Sequence, residues 1–303
     1  MSSLPLVSII MNCYNSDRFL RLAIDSVYSQ SYTNWEIIFW DNASTDDSAK
    51  IALSYDNKLK YYRSSHTTSL GEARRHALAN ASGDYIAFLD CDDMYLPQKL
   101  FLQVELMENN DFALVYSSAI IINECGDKLR KHIARYNSGY VFPNLLGRYE
   151  INMQTVMLRK SIFDVTGLTF DNSFTYCPDY NLFMQIAAQF NVGVIKDALV
   201  KYRLTPNSLS SQTVELASFE IKSSLDHLFT SFPELRKKYN NQVDAAYDKL
   251  NYYDAIAYIY KSNYILARKK IKKIIYKRWS YLTLYLILWF PFPKSIILRP
   301  LKR

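Results

Sequence analysis

Glycine is scarce in this chain: only seven occur among 303 residues, and no two have the spacing of GxGxxG or GxxxxGK[ST]. A site that cradles phosphates with a glycine-rich loop is therefore excluded. If the protein binds a diphosphate, the other common means is a divalent cation held by carboxylates, because Mg²⁺ and Mn²⁺ prefer oxygen ligands.

Cysteine and histidine are also few, with four of each, and neither shows a metal-ligand spacing. The cysteines form no CxxC pair, which favours the reduced thiols of a cytosolic protein over a disulfide framework or a zinc site. The first residues, MSSLPLVSIIMN, lack the basic region and cleavage site of a signal peptide and predict a first strand. We therefore expect a cytoplasmic protein.

Acidic side chains are missing from the end of the chain, where none follows Asp254. Residues 255–303 hold twelve of the 36 Lys and Arg side chains, and the preceding residues combine the other 24 with all 29 acidic ones. A mildly acidic body thus carries a strongly basic tail, which predicts an anionic partner.

Within that tail, the basic segment 268–278 is followed by the apolar run 279–290, which Pro291 and Pro293 end. Twelve helical residues span about 18 Å, too short for a hydrocarbon core of ~30 Å. We expect residues 268–303 to lie on the anionic inner face of the cytoplasmic membrane. Four aromatic residues would reach headgroup depth: Trp279, Tyr281, Tyr285 and Trp289. The alternative is a helix packed on the protein; nucleic acid is disfavoured, because aromatic and basic residues do not interleave.

Short apolar runs alternate with helical periodicities through the first ninety residues. Strands are predicted at 6–12, 35–41, 59–63 and 84–90, and helices at 17–31, 44–55 and 70–83. Ser44 and Asp47 form a cap pattern for the second helix, and Gly83 would end the third. This order predicts an α/β fold with a doubly wound, mostly parallel sheet. Further predictions are a helix at 97–109, strands at 112–123 and 153–160, a helix at 179–190, extended chain at 192–204, and helices at 215–230 and 242–276.

Polar residues collect where three of these strands end, at 12–15, at 41–42 and at 90–93. Ligands of doubly wound sheets bind at that edge, so we expect the three clusters to form one site. Asp90, Asp92 and Asp93 would repel one another unless a cation such as Mg²⁺ or Mn²⁺ held them together. The alternative is a solvated acidic turn before the helix near Pro97.

Four segments carry a family resemblance: VSIIMNCYNSDRFLRLAIDSVYSQSY, WEIIFWDNASTDDS, GEARRHALANASGDYIAFLDCDD and CPDYNLFMQI. In order and spacing they resemble the family 2 inverting glycosyltransferases, which have the GT-A fold. The resemblance covers roughly residues 5–210. It implies a GT-A catalytic domain at residues 1–212, followed by a helical C-terminal region at 213–303.

The resemblance also implies a nucleotide-sugar site. Asn12, Cys13, Tyr14 and Asn15 would line the nucleotide pocket, Asp41 and Asn42 would face the base, and Arg74 would lie on the phosphate side. Asp90-Cys91-Asp92 matches the DxD motif. Asp92 would then ligate Mn²⁺ or Mg²⁺, and Asp90 would contact the ribose or share the metal. Asp93 would belong to the same metal site, as a more distant carboxylate that supports Asp90 and Asp92.

Inversion needs a general base for the acceptor hydroxyl, and Asp179 matches the family position of that base. Without the resemblance, Asp179 reads as an ordinary carboxylate at a helix N-terminus. Three positions depart from the family pattern: Pro178 replaces a Glu, Asn42 replaces a second acid, and Thr205 replaces a common His. Arg203 remains and would reach the diphosphate. The QxxRW motif of processive synthases is absent, which favours addition of a single sugar.

The expected function is transfer of one sugar from a nucleotide-diphosphate sugar, with UDP the commonest nucleotide of the family, to a lipid-linked glycan. The product would belong to a bacterial surface polysaccharide, lipooligosaccharide or glycoprotein. Two alternatives remain open. One is a non-catalytic, membrane-associated scaffold that binds nucleotides, and the other is a metal-dependent nucleotidyltransferase.

Overall fold

Four parallel strands form one half of a central sheet. In this computed structural model, which describes residues 4–205, 209–290 and 297, they stand in the order β3-β2-β1-β4. The strands are β1 (Val7–Cys13), β2 (Trp35–Asp41), β3 (Leu59–Arg63) and β4 (Tyr85–Phe88). The connecting helices are α1 (Asp17–Tyr28), α2 (Ser48–Ala52) and α3 (Leu70–Ala79). The doubly wound half of the sheet therefore has the strands that the sequence predicts.

The other half of the sheet is largely antiparallel. β8 pairs antiparallel with β4 and β6, whereas β6 and β9 run parallel. β7 follows β6 after a short turn, which permits only antiparallel pairing, so the complete sheet is mixed. The strands are β5 (Met94–Tyr95), β6 (Leu114–Ile122), β7 (Lys128–His132), β8 (Met157–Arg159) and β9 (Val192–Arg203). The helices are α4 (Lys99–Glu108), α5 (Phe142–Gly147), α6 (Ser161–Thr166) and α7 (Pro178–Gln189).

Two predicted helix signals turn out to serve other purposes. α2 begins only at Ser48, and no side chain caps it, because the Ser44 hydroxyl accepts a hydrogen bond from the Asn15 N–H at 3.0 Å. α3 ends at Ala79, before Gly83. Gly83 lies so close to β1 that a Cβ atom would approach the Leu6 carbonyl oxygen to 2.6 Å. This glycine is therefore needed for close packing, not for helix termination.

The described residues from 209 onward belong to a second compact unit. Its described helices are α8 (Leu209–Gln212), α9 (Ala217–Ser231), α10 (Pro233–Lys238), α11 (Asn240–Asp248), α12 (Leu250–Tyr260), α13 (Tyr264–Lys272) and α14 (Trp279–Ile287). The helix predicted at 242–276 is interrupted, because Ser262 has a positive φ of 58° and Asn263 caps α13. Neither 209–290 nor Ile297 belongs to a strand in the structure.

The helices α12, α13 and α14 share an apolar core that includes Ile259, Ile271 and Leu284. Tyr281 belongs to that core, with its ring 5.3 Å from the ring of Tyr252. The prediction that Tyr281 reaches headgroup depth is therefore wrong, because its side chain completes the packing of the unit. In the described part of the chain, no helix combines the length and apolarity needed to cross a membrane. Pro291 and Pro293 lie outside the described residues.

Candidate active site

The loops after β1 and β2 interlock at one edge of the sheet. Cys13 and Asp41 stand in register at the strand ends, and the Asn42 N–H donates to the Cys13 carbonyl oxygen at 2.8 Å. The Asn15 carboxamide oxygen accepts from the Thr45 N–H at 2.8 Å. Asn15 and Ala43 have positive φ angles of 48° and 65°, which allow both chains to turn sharply here. The structure thus brings the first two polar clusters together.

The third cluster, after β4, is joined to the first through two thiols. The Cys91 Sγ donates to the Asn12 carbonyl oxygen at 3.4 Å. Hydrogen bonding from the Cys91 thiol lowers the pKa of Cys13. Both thiols are buried. Cys13 therefore packs under the loop that follows β1 and does not line the surface of that loop. Tyr14 is exposed above it, and the buried Asn12 Nδ2 has no hydrogen-bond partner in the described structure.

Asp41 is fully buried and its carboxylate is engaged by the protein itself. Its Oδ1 accepts from the Ser44 N–H at 2.7 Å, and its Oδ2 accepts from Tyr61 at 2.6 Å and Arg63 at 3.2 Å. Asn42 is buried as well and exchanges hydrogen bonds with Thr68. Both side chains thus fix the turn after β2 and present no exposed surface to a base.

Arg74 lies between two carboxylates that are distant in sequence. Its buried guanidinium has Nη2 3.7 Å from Asp90 Oδ1 and Nη1 3.7 Å from Asp179 Oδ1. Nη1 makes no hydrogen bond within the described residues. α3 thus supplies one cation that links the loop after β4 to the N-terminus of α7. Asp90 and the predicted base Asp179 consequently lie beside the two terminal nitrogens of one arginine.

Asp179 occupies the first turn of α7, just after Pro178. Proline suits this position, because its missing N–H and fixed φ cost the helix nothing there. Burial raises the pKa of Asp179, and the charge of Arg74 opposes that rise. The carboxylate is therefore more basic than an exposed one, which is the property that a general base requires.

Asp92 and Asp93 have different environments. Burial, followed by the charge of Asp90, raises the pKa of Asp92 to about 6. Asp93 is buried, and its Oδ1 accepts from the Arg203 N–H at 2.6 Å. Burial raises the pKa of Asp93 well above its ordinary value. Asp93 thus binds β9 from inside the protein, while Asp90 and Asp92 are the more accessible acids of the loop.

Arg203 holds the loop after β4 in place. Its Nε donates to the Asp92 carbonyl oxygen at 2.9 Å, and its Nη1 donates to the carbonyl oxygens of Asn123 and Glu124. The guanidinium also lies 4.3 Å from the centroid of the Phe19 ring. Through these contacts the buried Arg203 fixes the loop. The sequence analysis expected this side chain to extend toward a diphosphate instead.

The carboxylates of Asp90 and Asp92 suit a divalent cation that takes only a few of its ligands from the protein. No group of three or more His, Cys, Asp or Glu side chains that could enclose a metal occurs in residues 4–205, 209–290 or 297. Asp90 and Asp92 nevertheless place two acids close enough for one to raise the pKa of the other. Such a pair suits Mg²⁺ or Mn²⁺ when phosphate oxygens and water complete the shell.

Two further residues at this site escaped the sequence analysis. The Gln154 Nε2 donates to the Asp90 Oδ2, from a turn that was predicted as part of a strand. The signal that could have shown the turn is Asn152, whose side chain caps it. Tyr149 has a buried hydroxyl with no hydrogen-bond partner in the described structure, and burial followed by the charge of Asp179 raises its pKa.

Comparisons with known proteins agree with this geometry. A family model described as glycosyl transferase family 2 matches residues 8–179. The Escherichia coli protein WfgD, a UDP-Glc:alpha-D-GlcNAc-diphosphoundecaprenol beta-1,3-glucosyltransferase, is 33% identical over 209 residues, covering 68% of this chain and 80% of that protein. An uncharacterized glycosyltransferase of Rickettsia felis is 31% identical over 238 residues, covering 75% of this chain and 39% of the relative.

Two solved structures share the fold at low sequence identity. TarS residues 1–349 of S. aureus, in complex with UDP-GlcNAc, has a TM-score of 0.60 at 15% identity, covering 89% of this chain and 91% of that one. The mannosyltransferase PcManGT from Pyrobaculum calidifontis, in complex with GDP-Man and Mn²⁺, has a TM-score of 0.63 at 14% identity, covering 99% and 80%.

The sheet has the GT-A fold of these glycosyltransferases. The chain belongs to glycosyltransferase family 2, which confirms the fold, the family and the enzyme class predicted from the sequence.

Proposed function

We propose that this enzyme moves one sugar, with inversion, from a nucleotide-diphosphate sugar to a hydroxyl of a lipid-linked glycan. The observation that carries the proposal is Arg74, placed 3.7 Å from both Asp90 and Asp179. A displacement at the anomeric carbon needs a leaving-group site and a base near each other. Arg74 connects Asp90, which is suited to the leaving-group site, with Asp179, which is suited to act as the base.

Asp179 is the base in this proposal. It takes the proton of the acceptor hydroxyl as that oxygen attacks the anomeric carbon, and the bond to the diphosphate breaks on the opposite side. The charge of Arg74 favours the ionised form of Asp179 against the effect of burial, and in this proposal the guanidinium also faces the diphosphate with positive charge. Asn12 and Tyr14 contact the nucleotide. Asp41, Asn42 and Cys13 hold the loops that carry these two residues.

Asp90 and Asp92 would hold Mn²⁺ or Mg²⁺ in this site, with Asp93 and Arg203 fixing their loop. When bound, the cation supplies charge stabilisation to the leaving diphosphate. The protein would supply only two carboxylate ligands to the cation. This supports the assignment, because the other coordination positions of the cation are left for phosphate oxygens. Asp90 is also free to contact the ribose through the oxygen that faces Arg74.

A UDP-sugar is the proposed donor, and a diphosphate-linked lipid carries the proposed acceptor. The support is the relative WfgD, whose name specifies UDP-Glc and a GlcNAc-diphosphoundecaprenol. The product would then enter a bacterial surface glycan. The test is incubation with UDP-Glc, UDP-GlcNAc or UDP-Gal and GlcNAc-diphosphoundecaprenol. We expect UDP release that requires both acceptor and Mn²⁺ or Mg²⁺; metal-independent release or none with any donor would contradict the proposal.

The helical unit is the proposed contact with the membrane, at the inner face where such acceptors would be met. One face of α14 packs Leu284 and Leu288 into the core. The opposite face exposes Trp279 and Leu286 at 85% and 53%, and Phe290, three residues beyond the helix, is 61% exposed. Exposed lysines and arginines of the tail lie close in sequence: Lys272, Lys273 and Arg278. An apolar face beside basic residues suits an anionic bilayer surface.

Replacing Trp279, Leu286 and Phe290 together by serine is expected to weaken binding to vesicles of phosphatidylcholine and phosphatidylglycerol at least about tenfold. The reason is the loss of apolar area that would enter the interface. Cosedimentation with the vesicles measures the binding of the variant and of the wild type. Phe219→Ser, at an exposed phenylalanine of α9, is the matched control. Point changes are preferable to deletion of residues 268–303, which would remove core residues such as Ile271. Unchanged sedimentation of the triple variant would refute the anchor.

A further inference from the structure

Gln154, a buried residue, contacts Asp90, the first acid of the proposed DxD motif. It lies in the 3₁₀ turn Met153–Thr155, is 3% exposed, and its Nε2 donates to the Asp90 Oδ2. The two residues are 64 positions apart in sequence. The contact therefore exists only because the fold brings this turn against the end of β4.

The turn has supports of its own. The Asn152 Oδ1 accepts from the Gln154 N–H at 3.2 Å, and the Thr155 hydroxyl donates to the Asn152 carbonyl oxygen at 2.6 Å. From α4, the buried Gln103 donates to the Thr155 carbonyl oxygen at 2.7 Å and accepts from Lys99 at 2.7 Å. The backbone that carries Gln154 is thus fixed independently of its side chain.

Asp90 needs such a contact, because little else fixes its carboxylate. Its side chain is 41% exposed, and the nearest Arg74 nitrogen is 3.7 Å away, beyond hydrogen-bond distance. An amide donor is neutral, so it orients one oxygen without cancelling the charge of the carboxylate. A lysine or arginine at the same place would compete with a cation for Asp90.

We propose that Gln154 is a positioning residue of the donor site, which holds Asp90 in the orientation that faces the nucleoside diphosphate and its cation. This inference rests on the proposed function. It predicts that loss of the Gln154 amide weakens donor binding while the protein stays folded.

The test compares full-length wild type, Gln154→Met and Gln103→Met by calorimetric titration with UDP and Mn²⁺. Gln103→Met loses the amide contacts to Thr155 and Lys99, which support the same turn, but only Gln154→Met loses the contact to Asp90. Gln154→Met should bind UDP about tenfold more weakly and show a raised KM for the sugar donor, whereas Gln103→Met stays within about twofold of wild type. The melting temperature of Gln103→Met should fall at least as far as that of Gln154→Met, because Gln103→Met also leaves the buried Lys99 without this partner.

Equal UDP affinity of Gln154→Met and wild type would overturn the inference alone, and so would an equal loss in Gln103→Met, which would show a merely structural role. Absence of UDP binding by the wild-type protein would overturn the proposed function and the inference together. If Gln154→Met does not fold, Gln154→Leu serves in its place with the same expectation, because it is also neutral and cannot donate a hydrogen bond.

Discussion

Asp179→Asn is expected to stop sugar transfer while UDP and Mn²⁺ still bind with near wild-type affinity. An amide of the same shape cannot accept the proton of the acceptor hydroxyl, and loss of a general base costs about 10²–10⁴-fold in kcat. Asp179 lies beside Arg74 Nη1, whereas Asp90 lies beside Nη2, so the donor contacts of Asp90 should survive. UDP release gives kcat, and calorimetry gives the affinity.

Asp164→Asn is the matched control, because Asp164 is an exposed acid in the first turn of α6. It tests whether loss of a carboxylate at a helix N-terminus is enough to reduce activity. We expect near wild-type kcat for this variant. If Asp179→Asn loses UDP binding as strongly as turnover, Asp179 is a donor-site residue and not the base.

The decrease of the transfer rate at low pH is also expected to depend on Asp179. Only the ionised form of Asp179 can act as a base, and burial raises its pKa. Transfer should therefore be lost as the pH falls through that raised pKa, at a higher pH than for an exposed aspartate near 3.9.

Asp92→Asn is expected to remove the dependence of UDP binding on Mn²⁺ by removing one of two acids suited to the cation. The loss of affinity in the presence of Mn²⁺ should exceed the roughly 10–100-fold that changes to neighbours of a metal ligand cost. Turnover falls with it, since the leaving diphosphate would lose its charge stabilisation. Titrations with UDP, with Mn²⁺ present or replaced by EDTA, measure both effects.

Asp111→Asn, at an exposed acid outside the site, controls for the change in net charge. It should bind UDP and Mn²⁺ as the wild type does. An Asp92→Asn protein whose UDP affinity still rises with Mn²⁺ would show that the cation is held elsewhere or is not needed.

The parallel half of the fold could be predicted from the sequence, because β1, β2 and β4 are short apolar runs bounded by polar residues and β3 falls between two helical periodicities. β3, for example, has the predicted bounds Leu59–Arg63. β8 could not be assigned correctly, because only three residues pair, and their direction depends on β4 and β6. The segment 153–160 therefore looked like one strand, although its first three residues form a turn.

The residue types of the site were visible in the sequence, but their orientations were not. Arg203 stands at a strand end that suits a diphosphate contact, yet the structure turns its Nε and Nη1 toward carbonyl oxygens of residues 92, 123 and 124. Asp41 likewise satisfies Ser44, Tyr61 and Arg63. Gln154 carried no signal at all, because its role depends on a contact across 64 residues.

The central claim is that a base beside Arg74 drives a single displacement at the anomeric carbon. The anomeric configuration of the product tests it most directly, by proton NMR of the glycan made from a UDP-sugar whose linkage to UDP is α. The account predicts a β-linked product from the wild-type enzyme. An α-linked product would mean retention, and a single displacement assisted by Asp179 would then be wrong.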